Sequence, residues 1–217
     1  MNTRLLGMVG GIALCPSIAS AALILETASG FEINGSEIHS SSIVIGSEHG
    51  TPLQNLSIEV QLVGLQHDWI GDLVVTLTHV ESGATASLFG GVGGGSFGSP
   101  AEFDGAYSFS DAWYDPSDPT VRSLWQAADD AGFGGVIPSL PFYATGNGSS
   151  DYVSMDAAFA GDLSSGTWRL DVEDTFAAGD DGTLFKWVLI IEGTPVPAPG
   201  AVALLGLAGL AGRRRRH

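Results

Sequence analysis

The chain has one cysteine, Cys15, among 217 residues. A disulfide framework or a paired-cysteine zinc site is therefore excluded. Basic residues are nearly as scarce, eight Lys and Arg against 24 Asp and Glu. Five of the eight, Arg4 and Arg213 to Arg216, lie at the two ends. Between Ala22 and Val196 only Arg122, Arg169 and Lys186 stand against all 24 acidic residues, a balance of −21. A surface this acidic repels phosphate backbones, so nucleic acid is excluded as a partner, while divalent cations are favoured. Long hydrophobic runs are also missing. Gly200 to Gly212 would make a helix of about 20 Å, too short to span a hydrocarbon core of about 30 Å.

What is present at the ends reads as two addresses. Arg4, the apolar Leu5 to Leu14 and the small-residue Ala19-Ser20-Ala21 have the layout of a secretory signal peptide cut after Ala21. That cut removes Cys15, leaving no thiol nucleophile. At the other end stand Pro195-Val196-Pro197-Ala198-Pro199-Gly200, an apolar run and Arg213-Arg214-Arg215-Arg216, which positive-inside bias would hold in the cytoplasm. This order resembles the PEP-CTERM sorting signal, with Ala198 where that motif has its Glu. The resemblance implies processing by an exosortase-like enzyme after signal peptidase has acted, membrane contact only in transit, and delivery to the cell surface or extracellular matrix. The expected organisation is a signal peptide over 1–21, one domain over 22–193 and a sorting tail over 194–217. A domain of roughly 175 residues can bury a substantial core.

Period-two alternation dominates that domain. Leu56 to Leu62, Leu73 to Thr78 and Trp168 to Glu173 alternate apolar and polar, as half-buried strands do. Phe185 to Ile191 is read the same way, with Phe185, Trp187, Leu189 and Ile191 on one face. Gly/Asp/Ser turns lie between them at Ile70-Gly71-Asp72, Glu81-Ser82-Gly83, Ser164-Ser165-Gly166 and Gly179 to Gly182. The fold class predicted is all-β, an antiparallel sandwich or jelly roll. One short helix is expected in a long connection, with Asp118 as N-cap, Pro119 at the first position and Gly132 as the stop.

His67-Asp68-Trp69-Ile70-Gly71-Asp72-Leu73, Gly166-Thr167-Trp168-Arg169-Leu170-Asp171-Val172-Glu173-Asp174 and Asp180-Asp181-Gly182-Thr183-Leu184-Phe185-Lys186-Trp187 together resemble the P domain, or Homo B domain, of proprotein convertases. Leu88 to Gly91, Asp104 to Asp111 and Val136 to Phe142 fit between them. The resemblance implies a jelly roll of the kind that accompanies subtilisin-like catalytic domains. Any label of proteolysis would then come from the domain's usual company.

A catalytic site is not expected. Gly94-Gly95-Ser96-Phe97-Gly98 matches the nucleophile-elbow pattern, and Gly93, Gly95 and Gly98 match a dinucleotide pattern. Both need a strand before and a helix after, and a glycine run yields such matches by chance. His39, His49, His67 and His79 stand in no recognised pairing with Ser or carboxylate. The carboxylates are the better lead. Asp72, Asp174, Asp180 and Asp181 flank turns and are the candidate ligands of one Ca²⁺, which takes six to eight oxygens; the alternative is solvated turn residues. Asp111, Asp115 and Asp118 form a second, weaker cluster. Trp113, Tyr114 and Trp125, in the long connection, are candidates for stacking on sugar rings or for packing that connection onto the sandwich. The function expected is an exported, non-catalytic binding or structural module. Its alternatives are a module binding extracellular polysaccharide and an accessory of a secreted subtilisin-like protease.

Overall fold

The computed structural model describes residues 22–47, 53–118, 121–176, 179 and 181–195. They form an all-β sandwich, as predicted. One sheet has the order β1 (Ala22–Ile33), β9 (Gly182–Pro195), β3 (Leu53–His67), β6 (Phe103–Ser110), β7 (Pro141–Phe142). The other has the order β2 (Ile38–Ile45), β8 (Gly166–Asp174), β4 (Leu73–His79), β5 (Ala84–Gly90). Neighbours are antiparallel except β6 and β7. β1 begins at Ala22, paired with Gly193, and β9 runs as far as Pro195, paired with Leu53. Ala19, Ala21, Val196 to Pro199 and Arg213 to Arg216 lie outside the described residues.

The predicted alternation sets the core. Ile58, Val60 and Leu62 of β3, Leu73, Val75 and Leu77 of β4, and Trp168, Leu170 and Val172 of β8 are all buried. Between the two sheets they meet Trp187, Leu189 and Ile191 of β9.

Phe185 departs from the expectation. Leu184 is buried and Phe185 is 72% exposed, so the inward phase of β9 changes between Leu184 and Trp187. The partner strands explain it. β3 carries a bulge against β6 at Gly64, whose φ of 65° suits glycine and which stands opposite Phe185 in the β3–β9 register; a Cβ there would lie 2.9 Å from that of Phe185. The extra residue moves the inward phase of β3 from Leu62 to Leu65, and β9, in register with it, moves its own from Trp187 to Leu184.

The helix also differs at its start. α1 spans Leu124–Ala131, and its N-cap is Ser123, whose Oγ accepts from Gln126 N–H while the Gln126 side chain accepts from Ser123 N–H. This reciprocal capping box satisfies two orphan N–H groups. Asp118 lies outside the helix, its N–H donating to Asp115 carbonyl and its own carbonyl accepting from Val121 N–H. Gly132 stops the helix as expected. A second, four-residue helix, α2, covers Met155–Ala158.

Candidate functional site at one end of the sandwich

Three connections meet at one end of the two sheets: residues 68–72 after β3, the glycine-rich 91–102 between β5 and β6, and the turn from β8 to β9. Their junction is built on a buried pair. His67 continues the inward phase of β3 beyond the bulge, after Leu65, and Asp174 continues that of β8 after Trp168, Leu170 and Val172. Strand parity therefore drives both polar side chains into the interior. His67 Nδ1 accepts from Trp69 N–H at 3.1 Å. That bond leaves the ring proton on Nε2, which points at Asp174 Oδ2 at 3.4 Å. Asp174 Oδ1 accepts from Phe176 N–H at 2.9 Å. Each buried polar atom of the pair thus has a partner, as burial demands.

The glycine-rich connection is anchored. Ile70 and Gly71 donate their N–H groups to the carbonyls of Ala101 and Ser99 at 2.9 and 3.0 Å, and Ser99 N–H donates to Val92 at 2.6 Å. Gly71 and Gly98 lie back to back: a Cβ on Gly71 would sit 2.6 Å from Gly98 Cα, and one on Gly98 2.5 Å from Gly71 Cα. Only glycine allows so close a backbone approach. At the tip, the Trp69 indole N–H donates to Phe97 carbonyl. From the third connection, Thr175 donates both its N–H and its hydroxyl to Asp72 carbonyl, each at 2.8 Å.

Two cavities border residues 66–69. One, of 420 Å³, is acidic: Asp68, Glu102, Asp104 and Asp181 line it together with Gln66, His67 and Thr183. The other, of 160 Å³, is walled by Trp69, Phe97 and Phe176, with Asp72 and Ser96. Phe133, beyond α1, sets its edge against Trp69 at 5.9 Å and 89°.

The sequence-predicted calcium ligands are divided among these places. Asp174 is buried against His67, Asp181 lines the acidic cavity, and Asp72 lines the aromatic one. Asp180 lies outside the described residues. Among the described residues no group of three or more His, Cys, Asp or Glu side chains is placed to hold a metal ion. As they stand, Asp72, Asp174 and Asp181 do not converge into the six-to-eight-oxygen shell that Ca²⁺ requires.

The second carboxylate cluster is also dispersed. Asp115 caps its own turn, and the hydroxyl and N–H of Ser117 hold its carboxyl below the usual carboxylate range. Asp111 accepts from Ser154 Oγ and from the N–H groups of Met155 and Asp156 at the start of α2. Beside it Asp156, which sequence reasoning missed, accepts from Ile58 N–H at 2.8 Å. Burial pushes Asp156 up to about 6, against the Ile58 bond and with help from the Asp111 charge.

Neither histidine cluster has the order of a nucleophile–base–acid relay. His67 has both ring nitrogens engaged, one by backbone. His79 is buried on β4, with Nε2 on Ser165 carbonyl at 3.1 Å and Nδ1 beside Ser82 Oγ at 2.9 Å. Ser82 in turn donates to Asp162 at 2.8 Å. Asp162 lies beyond the serine. On the ring's other side Glu81 Oε2 stands 3.7 Å from Nε2, past hydrogen-bond reach. Both Glu81 oxygens are held by Thr167 and Nε2 lies on the Ser165 carbonyl, so no carboxylate orients the imidazole as a relay needs. Ser96, the elbow match, stands in the aromatic cavity with no histidine or lysine among its lining residues. His39 stacks on Phe31 and contacts Asn34 backbone; His49 lies outside the described residues.

The aromatic candidates pack within the connection. Tyr114 lies flat on Tyr152 at 3.8 Å and 3°, with Tyr143 edge-on at 5.1 Å. Trp125 sits over Gly94, where a Cβ would lie 3.7 Å from its ring. Trp113 keeps partial exposure.

Residues 141–191, from β7 through most of β9, match the family model of the proprotein convertase P-domain. That stretch includes the Gly166–Asp174 and Asp180–Trp187 motifs; the His67–Leu73 motif lies outside it. No curated protein matches the chain. Among solved structures, the chain is similar to the serine protease of Aeromonas sobria, with 18% identity, a TM-score of 0.42 and 83% of this chain covered against 28% of that one. A chain of the complex of that protease with its chaperone gives 18% identity and a TM-score of 0.43, with 82% of this chain and 28% of that one covered. The chain thus spans under a third of the length of those proteins.

Proposed function

We propose that the chain is an exported, non-catalytic P-domain-like module whose work is binding, at the cell surface or in the extracellular matrix. The observation that carries this reading is the P-domain match over residues 141–191, the segment that supplies β8 and β9 to an all-β sandwich. It is supported by the site's chemistry: the cavities at one end offer carboxylates and aromatic faces, and the two histidine clusters are spent on structural hydrogen bonds. The layout of both ends of the sequence supports export and tail processing. The same match favours one specific form of the reading, an accessory that docks on a secreted subtilisin-like protease.

The test takes the secreted protein through mass spectrometry and then an assay on a peptide substrate. The expected product begins at Ala22, lacks Arg213 to Arg216 and cleaves nothing; mixed with a secreted subtilisin-like protease, it raises the melting temperature of that protease. Recovery of the arginine cluster would replace the sorting signal by a plain membrane anchor. Peptidase activity lost on Ser96→Ala would overturn the non-catalytic reading. An unchanged protease, with binding on a sugar array, would make the module a polysaccharide binder.

A further inference from the structure

Large aromatic side chains at the tips of loops are informative when they are exposed together. Phe97, Phe133 and Phe176 are 75%, 84% and 49% exposed, and all three belong to the same end of the sandwich. Burying them would have stabilised the fold; instead hydrogen bonds hold them apart. The Trp69 indole is tied to Phe97 carbonyl, Asp174 Oδ1 to Phe176 N–H, and Asp72 carbonyl to Thr175. The walls of the 160 Å³ cavity are therefore fixed from behind, through backbone and a buried acid, while the Phe97 and Phe176 side chains stay exposed. A site that is already organised loses little entropy when it is filled.

We propose that this cavity receives a cationic side chain, lysine or arginine, presented by a basic segment of a partner polypeptide. Its volume suits one side chain rather than a sugar ring pair or a peptide backbone. Three aromatic residues and one acid in the lining are what an ammonium or guanidinium group needs: aromatic rings attract it by their quadrupole, and an aspartate that already accepts a hydrogen bond still carries the opposite charge. The surroundings select for the same sign. The acidic cavity is lined by Asp68, next in the chain to Trp69, and by Glu102, Asp104 and Asp181. The whole chain carries −16, so a basic segment is steered to it and an acidic one is repelled. This inference rests on the binding-module reading only in placing the side chain on a partner; the pocket's preference is measured without one.

The experiment uses the ¹⁵N-labelled protein and two small probes, Nα-acetyl-lysine methylamide and its uncharged analogue Nα-acetyl-norleucine methylamide. The lysine probe is expected to shift the Trp69 indole and Phe176 amide signals saturably, and the norleucine probe to leave them in place. Asp72→Asn and Phe97→Ala, the second at an exposed position that folding does not need, should each weaken the lysine probe by roughly 3- to 10-fold. Equal response to norleucine would show a merely apolar pocket and overturn the proposal. So would shifts spread over the acidic face that persist unchanged in Phe97→Ala, which indicate diffuse attraction. Binding to phosphatidylcholine vesicles with no response to lysine would make the aromatic tips a membrane contact and overturn it as well. Since none of these outcomes involves proteolysis or a protease partner, failure here and failure of the proposed function are told apart.

Discussion

At the level of single residues, the buried His67–Asp174 pair shows what the sequence carried and what reading it as turns concealed. Asp174 flanks the turn between β8 and β9, and by position alone it reads as a turn acid. Counting by two from Trp168 through Leu170 and Val172 reaches it on the inward face, and its burial follows. The same count reaches His79 from Leu73. The consequence is testable. Asp174→Ala leaves buried His67 Nε2–H without an acceptor and removes the partner of Phe176 N–H, so it should lower the unfolding free energy by about 3 kcal/mol in a denaturant titration. Asp174→Asn keeps an acceptor for Phe176 and should lose less than half of that. Equal loss in both would mean that the charge, not the bonding, holds the junction.

Asp156 adds a pH dependence of known sign. Its folded pKa, raised from 3.8 to about 6, means that the folded state binds a proton more readily than the unfolded chain. Stability from this source is full below the unfolded value and is lost as pH rises through the folded one, the reverse of an ordinary salt-bridged aspartate. Asp156→Asn keeps an oxygen for Ile58 N–H and never ionises. It should match the wild type near pH 4 and exceed it above pH 6 by roughly 1–2 kcal/mol, less than the full shift because the side chain stays in partial contact with water. A difference that does not change across pH 4–6 would remove Asp156 as its origin. Nothing in the sequence singled this residue out, since its burial comes from α2 packing on β3, 98 positions away.

At the scale of elements, strands were legible wherever burial on one face imposes period two, and misread where the backbone breaks that period. Phe185 is the case: its exposure is decided by Gly64 on the neighbouring strand, a non-local cause that the local pattern of β9 does not contain. The helix was legible at its end, where Gly132 supplies the stop, but not at its start. Asp118 and Ser123 are both good capping residues, and what distinguishes them is Gln126 three positions after Ser123, the second half of a capping box. Ser123→Ala should therefore cost about 1 kcal/mol. Asp118→Ala should cost the helix less, because both bonds of that capping box stay in place. Thermal unfolding of the two variants side by side reads the difference; a larger loss for Asp118→Ala would return the cap to that residue.

For the molecule as a whole the dominant fact is charge, and it bears on the calcium expectation directly. With 24 acidic residues against eight basic ones, like charges crowd the surface, and screening them favours the compact state. Raising NaCl from about 0.02 to 0.2 M shortens the screening length to under about 10 Å and should raise the melting temperature steadily, with no saturation at a fixed stoichiometry. A resident Ca²⁺ would behave differently: at matched ionic strength it would stabilise by about 2.7 kcal/mol at 100 times its dissociation constant, and chelator would remove that increment. The described aspartates predict the first behaviour, because Asp72, Asp174 and Asp181 face three different surroundings and Asp174 has its two oxygens engaged by His67 and Phe176. The comparison is therefore a Ca²⁺ titration against NaCl at constant ionic strength, on the wild type and on Asp181→Asn. Coincident curves place the stabilisation in long-range charge. A saturating Ca²⁺ increment that Asp181→Asn abolishes would instead show that Asp181, joined by Asp180, completes a cage in the β8–β9 turn, and would restore calcium as part of how this end of the sandwich is held.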